Sequence, residues 1–500
     1  MSLLGIDIGT TGSKAVIFDE EGKVLASEYR EYPLHIPGEE QCELEPQEVW
    51  SAIKIVIQST SGKVEKSDPV RAVGISTLGD SVTPIDEEGN ALARTVIGIA
   101  DRRAVKQAAW IEKHFGRKAV FERSGAPLHA FCTIPKVMWF RDCRSEIYKK
   151  TWKFAGWQEI LHLKMELEAA MDFSLASHTM LMDIYTREFF HELLQIAGIS
   201  SDKFFPLKAS NTIVGVIKRD IARELGLPAG TPVVTGGFDQ ACCALGAGVL
   251  DPEIAALTVG TVEAITGVMD RVSLDALLLE GNYGLSFHVI EGLYIALALI
   301  ITSGAVLRWY RDTLGVHEVQ LAKARNIDPY DMMIESTRDR PARVFVVPYF
   351  AGAGTPWLDS NQNGTIFGLT LDTDRAEILK GILDCLCYEV RLNLECLRSA
   401  GLSITKLRAI GGGARSKRWM QLKADITGVP VETVKVTEAG CLGAAFLAGQ
   451  CTGVYSSPKD ILDITAVYQI FEPRNSISNA YEESYQKYKE LRHRLEGLIL

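Results

Sequence analysis

The chain has 500 residues, of which 47% are apolar and 23% charged, and its formal net charge is −10 at pH 7. A single hydrophobic core seldom organises a chain of this length, so we expect two or more domains. The acidic balance argues against an extended nucleic-acid surface but allows a local basic pocket for an anionic ligand.

The first thirty or so residues predict an antiparallel meander of three strands. Residues 3–8 form an apolar run with one carboxylate, Asp7, residues 14–18 form a second run, and residues 24–29 alternate. Gly-Thr-Thr-Gly at 9–12 and Asp-Glu-Glu-Gly at 19–22 supply the tight turns between them.

The turn at 9–12 has the composition of a phosphate-binding turn. Its backbone N–H groups and the hydroxyls of Thr10 and Thr11 can converge on an anion, and Lys14 adds a positive charge. Asp7, at the end of the first strand, could hold a hydrated Mg²⁺ beside that phosphate. An ordinary hairpin in which Asp7 caps the turn is the alternative.

The next segments place polar residues at the end of another strand. We expect a helix at 46–60, a strand at 70–75 with a polar loop at 76–81, and a helix that Asp101-Arg102-Arg103 opens and that runs to about 115. These loops would put Asp80, Asp101 and Arg102 on one rim, able to bind hydroxyl groups. Alternatively, Asp101 caps the helix and the arginines form a solvated first turn.

Helical patterns follow at 136–150, 157–170 and 187–197, and then the chain changes character in the stretch 233–248. A β-branched strand at 233–235 is followed by two glycines and by a helix of small residues. Asp239 and Gln240 lie at this junction, where α/β folds usually bind ligands. The alternative is that Asp239 is a helix N-cap.

The second half repeats the plan of the first. Residues 254–259, Gly260-Thr261 and 262–268 are again strand, turn and strand, while 407–410, Gly411-Gly412-Gly413 and a helix from 416 repeat the central stretch. Two similar domains, 1–248 and 249–500, with a cleft between them are therefore expected.

Two further stretches are assigned to packing. The longest uncharged run, 292–307, contains Gly304 and is too short to span a bilayer, so we expect a buried strand that leads into a helix. The tail, 479–500, predicts an amphipathic packing helix. With no Cys-x-x-Cys spacing and no secretory signal, we expect a cytoplasmic protein without membrane or nucleic-acid partners.

Several short motifs follow one another along nearly the whole chain. They are Asp7-Ile-Gly-Thr-Thr11, Asp101-Arg102-Arg103, Phe131-x-Thr133-x-x-Lys136-Val137-x-Trp139-Phe140, Gly236-Gly237-Phe-Asp239-Gln240, Gly260-Thr261, Gly364-x-Ile366-x-Gly368-Leu369, Gly411-Gly-Gly-Ala-Arg-Ser416 and Glu438-Ala439-x-x-Leu442-Gly443-Ala444-Ala445. In this order and spacing they resemble the FGGY family of carbohydrate kinases. The resemblance implies an α/β fold of two ribonuclease H-like (actin-like ATPase) domains, each a mixed sheet flanked by helices, with a cleft between them.

The resemblance also implies roles for individual residues. Asp239 would be the general base for the attacking sugar hydroxyl, and Asp7 and Asp239 would hold Mg²⁺. The residues implied for ATP are Gly9, Thr10, Thr11, Lys14, Gly260, Thr261, Gly304, Gly412 and Gly413. Those implied for the sugar are Asp80, Asp101, Arg102, Asp239 and Gln240.

Departures from the family pattern lie mostly on the sugar side. Many members have Trp where this chain has Ile99, and xylulokinases have Met-His where it has Gly79-Asp80. The polar, arginine-bearing loop of glycerol kinases is missing, and Gly352-Ala353-Gly354-Thr355-Pro356 replaces a Gly-Glu-Arg-x-Pro segment. The reaction is therefore better supported than the substrate.

We expect an ATP- and Mg²⁺-dependent kinase of a small ketose or polyol, with a ketopentose such as xylulose as the leading substrate. A deoxyketohexose, a sugar acid and a glycerol-like polyol are alternatives. From another class, a non-catalytic actin-like sugar sensor or scaffold is the competing hypothesis. A homodimer is one open alternative for the assembly.

Overall fold

The structure, a computed structural model, describes residues 1–38, 40–64 and 68–495. The strands of the first half are β1 (Ser2–Ile8), β2 (Gly12–Phe18), β3 (Val24–Glu31), β4 (His35–Gly38), β5 (Gln41–Leu44), β6 (Val70–Thr77), β7 (Thr83–Ile85), β8 (Thr95–Val96), β9 (Lys153–Ala155), β10 (Met171–Asp172), β11 (Leu207–Lys208), β12 (Ile213–Val216), β13 (Pro232–Val234) and β14 (Gly237–Phe238). Its helices are α1 (Pro46–Ser61), α2 (Val105–His114), α3 (Arg117–Ser124), α4 (Thr133–Cys143), α5 (Ser145–Lys150), α6 (Trp157–Lys164), α7 (Phe173–His178), α8 (His191–Ala197), α9 (Arg219–Leu225) and α10 (Asp239–Gly246).

The second half has fewer strands and longer helices. Its strands are β15 (Ile254–Val259), β16 (Glu263–Met269), β17 (Gly284–Phe287), β18 (Tyr294–Ile300), β19 (Phe345–Val347), β20 (Thr365–Phe367), β21 (Lys406–Ile410), β22 (Val431–Val434) and β23 (Val467–Phe471). Its helices are α11 (Ala276–Glu280), α12 (Gly304–Thr313), α13 (Val316–Arg325), α14 (Pro329–Glu335), α15 (Arg375–Ser399), α16 (Lys417–Thr427), α17 (Ala439–Cys451), α18 (Ile461–Ile464) and α19 (Asn475–Leu495).

Two mixed sheets of seven strands form the centres of the two halves. In the first, β12, β13, β6, β1, β2 and β3 lie side by side, and β14 also pairs with β6. The strands β1, β2 and β3 are antiparallel, as the sequence predicts, whereas β1 and β13 run parallel to β6. In the second sheet the order is β17, β18, β16, β15, β21, β22 and β23.

The duplication expected from the sequence is present in the strand pairing. The antiparallel pair β15–β16 corresponds to β1–β2, and the parallel pair β15–β21 corresponds to β1–β6. The edge strands β12 and β23 are antiparallel to their neighbours in both sheets. The sheets divide between the end of α10 at Gly246 and the start of β15 at Ile254, and we keep 1–248 and 249–500 as our proposed domains.

Helix α17, from the second half, packs directly on the first sheet. A Cβ atom added at Gly5 of β1 would lie 1.9 Å from the carbonyl oxygen of Cys441, and one at Gly74 of β6 would lie 1.9 Å from that of Ala444. Close backbone approach of this kind requires glycine. The two halves are therefore joined by backbone contact between α17 and the strands β1 and β6 of the first sheet.

Four expected helices differ from those in the structure, each for a local reason. The helix expected at 101–115 begins at Val105, because the carboxylate of Asp101 is buried and binds elsewhere. The pattern at 136–150 gives two helices, interrupted by the non-helical backbone of Arg144. Helix α6 ends earlier than expected, and Glu166, shortly after its end, has left-handed backbone (φ 55°). Helix α8 starts later than expected, and Arg187, shortly before its start, also has left-handed backbone (φ 61°).

The C-terminal helix is a packing element, as expected. Tyr481, Tyr485 and Tyr488 of α19 are buried, and the Tyr488 hydroxyl donates to Oε1 of Glu389 at 2.5 Å. Residues 496–500 of the expected tail lie outside the described residues. Within the described part of the chain, no helix combines the length and the apolarity needed to cross a membrane.

Candidate active site

Strand register brings the central candidate residues together at one edge of the first sheet. Asp7 of β1 is paired with Ser76 of β6, and Ser76 is paired in turn with Gly237 of β14. All three strands run in the same direction, so their carboxyl ends share an edge, and Asp239 begins α10 two residues after Gly237. The fold thus places Asp7 and Asp239 at the same end of adjacent strands.

Asp7 has one oxygen fixed and the other available. The Ser76 hydroxyl donates to Oδ1 at 2.6 Å, and Oδ2 accepts no hydrogen bond from any described residue. Burial raises the pKa of Asp7, although the Ser76 hydrogen bond and the charge of Lys14 act in the opposite direction. Ser76 belongs to the predicted polar loop region, but the sequence did not single it out as a partner of Asp7.

Asp239 is a perturbed carboxylate rather than a helix cap. Phe238 occupies the N-cap position of α10, and Asp239 is the first helical residue. Its side chain is only partly exposed. Burial, followed by the negative charge of Asp7, raises the pKa of Asp239 to about 7. A carboxyl group with this pKa can accept a proton near neutral pH.

Gln240 connects Asp239 with the second sheet. Its Nε2 donates to Oδ1 of Asp239 at 3.3 Å, and its Oε1 accepts from the Thr258 hydroxyl of β15, also at 3.3 Å. Both polar ends of Gln240 thus have partners in the protein. The contacts favour a positioning role beside the carboxylate.

The turn between β1 and β2 leaves its threonines free. Gly9 N–H donates to the carbonyl oxygen of Gly12 at 3.0 Å, which closes the turn. Thr10 and Thr11 are exposed, and neither hydroxyl has a hydrogen-bond partner in the described residues. These groups remain available for a ligand.

Lys14 has a partner that the sequence did not reveal. Its Nζ forms an ion pair with Glu438, the residue before α17, so the pair links the two halves of the chain. Burial alone would lower the pKa of Lys14, but the hydrogen bond and charge of Glu438 outweigh it and the pKa is raised. Lys14 would have to share its charge between Glu438 and a bound phosphate.

The second Gly-Thr turn is tied to the start of α12. The N–H groups of Ser303 and Ala305 donate to the carbonyl oxygen of Thr261, and that of Gly304 donates to the carbonyl oxygen of Gly260. A Cβ atom at Gly304 would lie 2.6 Å from this same oxygen. Gly304 is therefore required by contact with the turn, and its own N–H is already used.

A buried ion pair supports this second turn. Lys423 of α16 donates to Glu263, the first residue of β16, at 2.5 Å, and neither side chain is exposed. The Ser303 hydroxyl donates to the other carboxylate oxygen of Glu263 at 2.9 Å. Three elements that surround the expected nucleotide site are thus fixed to one carboxylate, which the sequence patterns did not indicate.

The three glycines after β21 differ in their surroundings. A Cβ atom at Gly412 would meet no atom within 4 Å, whereas one at Gly413 would lie 2.4 Å from Cγ1 of Val259. Gly411 has left-handed backbone, with φ of 86°. Gly412 therefore borders open space, while Gly413 is required by packing.

The loop after β6 is built around Asp80. Its Oδ1 accepts hydrogen bonds from the N–H and hydroxyl of Thr133, at 3.1 and 3.3 Å, and its Oδ2 lies 2.6 Å from Nδ1 of His178. The buried Lys136 donates to the carbonyl oxygens of Asp80 and Ile97. His178, on α7, was not predicted, because nothing in its local sequence indicates a partner 98 residues away.

The side chains of Asp101 and Arg102 lie in different environments. Asp101 is fully buried, accepts the N–H of Cys42 at 2.7 Å and pairs with Arg103. Arg102 donates from Nη1 to the carbonyl oxygen of Ser360 at 2.9 Å, across the two halves. No carboxylate of the described chain lies within ion-pair distance of Arg102. The cation of Arg102 is thus more available to a ligand than the carboxylate of Asp101.

Three cavities among the described residues do not have Asp239 in their lining, although one of them borders the glycines after β21. One of about 20 Å³, enough for about one water, is lined by Asp80, Thr133 and Glu159. Two larger pockets, of about 340 and 360 Å³, lie in the second half around α16 and β23. Asp239 lines none of the three, so we assign the site from its side chains and strand register.

The carboxylates fit a hydrated Mg²⁺. The described residues hold no group of three or more His, Cys, Asp and Glu side chains suited to a metal. Mg²⁺ usually keeps several waters and binds through one or two carboxylates together with substrate phosphates. Asp7, with a free Oδ2, and Asp239, whose pKa the charge of Asp7 raises, provide such a pair.

Both halves of the chain match domains of a known protein family. A sequence profile for the N-terminal domain of the FGGY family of carbohydrate kinases matches residues 2–246, and one for the C-terminal domain of that family matches residues 255–450.

Curated relatives act on several different substrates. Gluconokinase from Bacillus subtilis (strain 168) is 31% identical over 472 residues, which cover 92% of this chain and 90% of that protein. A xylulose kinase from Staphylococcus epidermidis (strain RP62A) is 26% identical over 490 residues, covering 97% and 95%. A glycerol kinase from Koribacter versatilis is 28% identical over 500 residues, covering 98% and 97%.

Solved structures confirm the expected α/β fold with two sheet-containing domains. Ligand-bound xylulose kinase from Lactobacillus acidophilus aligns with a TM-score of 0.89 at 23% identity, covering 100% of this chain and 99% of that one. Gluconate kinase from Lactobacillus acidophilus aligns with a TM-score of 0.88 at 23% identity, with the same coverage. Because both profiles match and together span most of its length, the chain belongs to the FGGY family of carbohydrate kinases, which transfer a phosphoryl group to an alcohol.

Proposed function

We propose that this carbohydrate kinase transfers the γ-phosphate of ATP, with Mg²⁺, to a hydroxyl of a small sugar or polyol, and that Asp239 is the general base. The observation that carries the proposal is Asp239 itself: a partly exposed carboxylate with a pKa of about 7, beside Asp7 and the strand edge that bears the free threonine turn. A ketopentose such as xylulose is our leading substrate.

Phosphoryl transfer requires that the two substrates be positioned, that the phosphate charge be neutralised and that one base be present. In phosphoryl transfer the attacking hydroxyl loses its proton late, so a single carboxylate suffices and no covalent nucleophile is needed. Asp239 would accept this proton, with Gln240 holding one of its oxygens. Mg²⁺ bound near Asp7 would neutralise phosphate charge, and Thr10 and Thr11 would donate hydrogen bonds to the phosphates.

The nucleotide would lie between the two Gly-Thr turns. Thr261 and the open side of Gly412 would contact the nucleotide from the second half. The buried Lys423–Glu263 ion pair would hold α16 and β16 in fixed positions around it. Gly260, Gly304 and Gly413 would contribute by shaping the backbone. Water must be kept from the γ-phosphate, and the contacts Lys14–Glu438 and Arg102–Ser360 span the two halves as a closed cleft requires.

A sugar acid is the second candidate substrate, and Arg102 is the observation that favours it. Its guanidinium has a carbonyl partner, Ser360, but no carboxylate partner among the described residues. Arginine binds carboxylates in a two-pronged geometry. The gluconokinase from Bacillus subtilis, at 31% identity, is consistent with such a substrate.

An ADP-release assay over a panel of ketopentoses, deoxyketohexoses, polyols and sugar acids tests the proposal. We expect Mg²⁺-dependent turnover with one class, and we expect Asp239→Asn to abolish it while ATP binding, measured by calorimetry, survives. Unchanged turnover in Asp239→Asn would exclude this residue as the base. Sugar binding without turnover in the wild type would instead support a sensor.

A further inference from the structure

The imidazole of His178 is fixed on one side and free on the other. Its Nδ1 lies 2.6 Å from Oδ2 of Asp80, whose other oxygen is held by Thr133. Because a carboxylate only accepts hydrogen bonds, Nδ1 must carry the proton. Asp80 is 3% exposed, so this side of the ring is inside the protein.

The position of the ring is determined by its neighbours. It packs against Phe238, the residue before Asp239, with ring centroids 4.5 Å apart. A Cβ atom at Gly79 would lie 2.9 Å from Phe238 and 3.4 Å from Nδ1 of His178, so this approach requires glycine. Asp80 itself has left-handed backbone, with φ of 54°. Such strain persists only where surrounding contacts hold it in place.

The second ring nitrogen, Nε2, has no hydrogen-bond partner among the residues that the structure describes. The side chain is 17% exposed. Its charged neighbours are Asp80, Asp239 and Lys136, and the charges of Asp80 and Asp239 outweigh burial and raise the pKa of His178. The ring therefore presents Nε2, a polar nitrogen without a partner in the described chain, near Asp239.

We propose that His178, oriented by Asp80, determines specificity through a hydrogen bond between its Nε2 and a hydroxyl of the sugar next to the hydroxyl that Asp239 deprotonates. The proposal rests on the function proposed above and adds to it a contact with the substrate. Asp80 is then a positioning residue that fixes the ring and does not itself contact the sugar. The ligand group is a hydroxyl, since it can donate to Nε2 of the neutral ring and accept from Nε2 of the imidazolium.

Two amide variants distinguish the bond between Nε2 and the sugar from the bond between Nδ1 and Asp80. In His178→Asn the amide can replace Nδ1 and keep the bond to Asp80, but nothing replaces Nε2. In His178→Gln the longer side chain places its amide where Nε2 was. We expect His178→Asn to raise KM for the sugar about tenfold, as loss of one hydrogen bond predicts. We expect His178→Gln to restore most of the sugar affinity, with KM for ATP unchanged in both variants and Tm unchanged in His178→Asn, which keeps the bond to Asp80.

Monodeoxy analogues of the best substrate provide the second readout. One of them should raise KM about tenfold in the wild type and have little further effect in His178→Asn, because its missing oxygen is the one that Nε2 binds. A His178→Asn variant with unchanged sugar KM and unchanged analogue preference would overturn the proposal while leaving the kinase assignment intact. A wild type that phosphorylates no sugar would overturn both.

Discussion

Lys423 and Glu263 form an ion pair at 2.5 Å in which neither side chain has exposed surface. They lie on different elements, α16 and β16, and Ser303 at the start of α12 donates to the same carboxylate. Removing one partner of a buried pair leaves the other charge without compensation. The pair therefore has a larger effect on stability than an ion pair in solvent.

We expect Lys423→Met to lower the free energy of unfolding by about 3–5 kcal/mol. Lys149→Met is the matched control, since Lys149 and Glu146 pair at the surface with 70% and 78% exposure, and it should cost less than about 1 kcal/mol. Adding Glu263→Gln to Lys423→Met should recover most of the loss. Equal losses for Lys423→Met and Lys149→Met in urea unfolding would contradict the assignment.

The raised pKa of Asp239 predicts that the stability of the protein depends on pH. Its pKa is raised to about 7, so the folded state holds a proton that the unfolded state releases near pH 4. The stability that this proton provides is complete below the unfolded pKa and is lost as pH rises through about 7. Asp239→Asn removes this dependence, because an amide does not titrate.

We expect Asp239→Asn to be inactive and yet more stable than the wild type at pH 8, by about 2 kcal/mol. The full shift corresponds to about 4 kcal/mol, and we halve it because the carboxylate is partly solvated. Thermal unfolding at pH 5 and pH 8, without nucleotide or metal, measures the difference. A Tm gain that does not grow between these pH values would rule out a raised pKa at Asp239.

Gly412 and Gly413 should respond differently to the same substitution. A methyl group at Gly412 has no atom within 4 Å, so Gly412→Ala should leave Tm unchanged but raise KM for ATP about tenfold by filling space that the nucleotide uses. Gly413→Ala would place Cβ 2.4 Å from Val259 and should destabilise the fold by about 1–3 kcal/mol. An unchanged KM for ATP in Gly412→Ala would argue that the nucleotide lies elsewhere.

The parts of the fold that depend on local pattern could be predicted. The strand alternation and the glycine turns at 9–12 and 260–261 predict the meander and its repeat, because period-two burial and tight turns are local properties. Asp7 and Asp239 could be predicted to lie at one edge because Asp7 is near the carboxyl end of β1 and Asp239 directly follows β14 of the same sheet. The expected start of the helix at 101 was wrong, because the buried Asp101 binds the N–H of Cys42, a tertiary contact that overrides the capping preference.

The side-chain pairs of the site could not be predicted in this way. Asp80 and His178 are 98 residues apart, and Lys423 and Glu263 are 160 apart. No periodicity encodes a partner at such a distance, and the residues of each pair belong to elements that meet only in the finished fold. Lys14 was predicted as a phosphate ligand, but its ion pair with Glu438 depends on α17 packing against the first sheet.

The choice between a neutral sugar and a sugar acid can be tested at Arg102. Its guanidinium donates to the carbonyl oxygen of Ser360 but has no carboxylate partner in the described chain. We expect Arg102→Gln to raise KM for the best sugar acid about tenfold more than KM for the best ketopentose, since a charge-assisted hydrogen bond is lost only with the acid. Arg187→Gln is the control, because Arg187 pairs with Glu291 across the two halves at an exposed position. Equal changes in both KM values would mean that Arg102 only links the halves through Ser360 and does not recognise a substrate carboxylate.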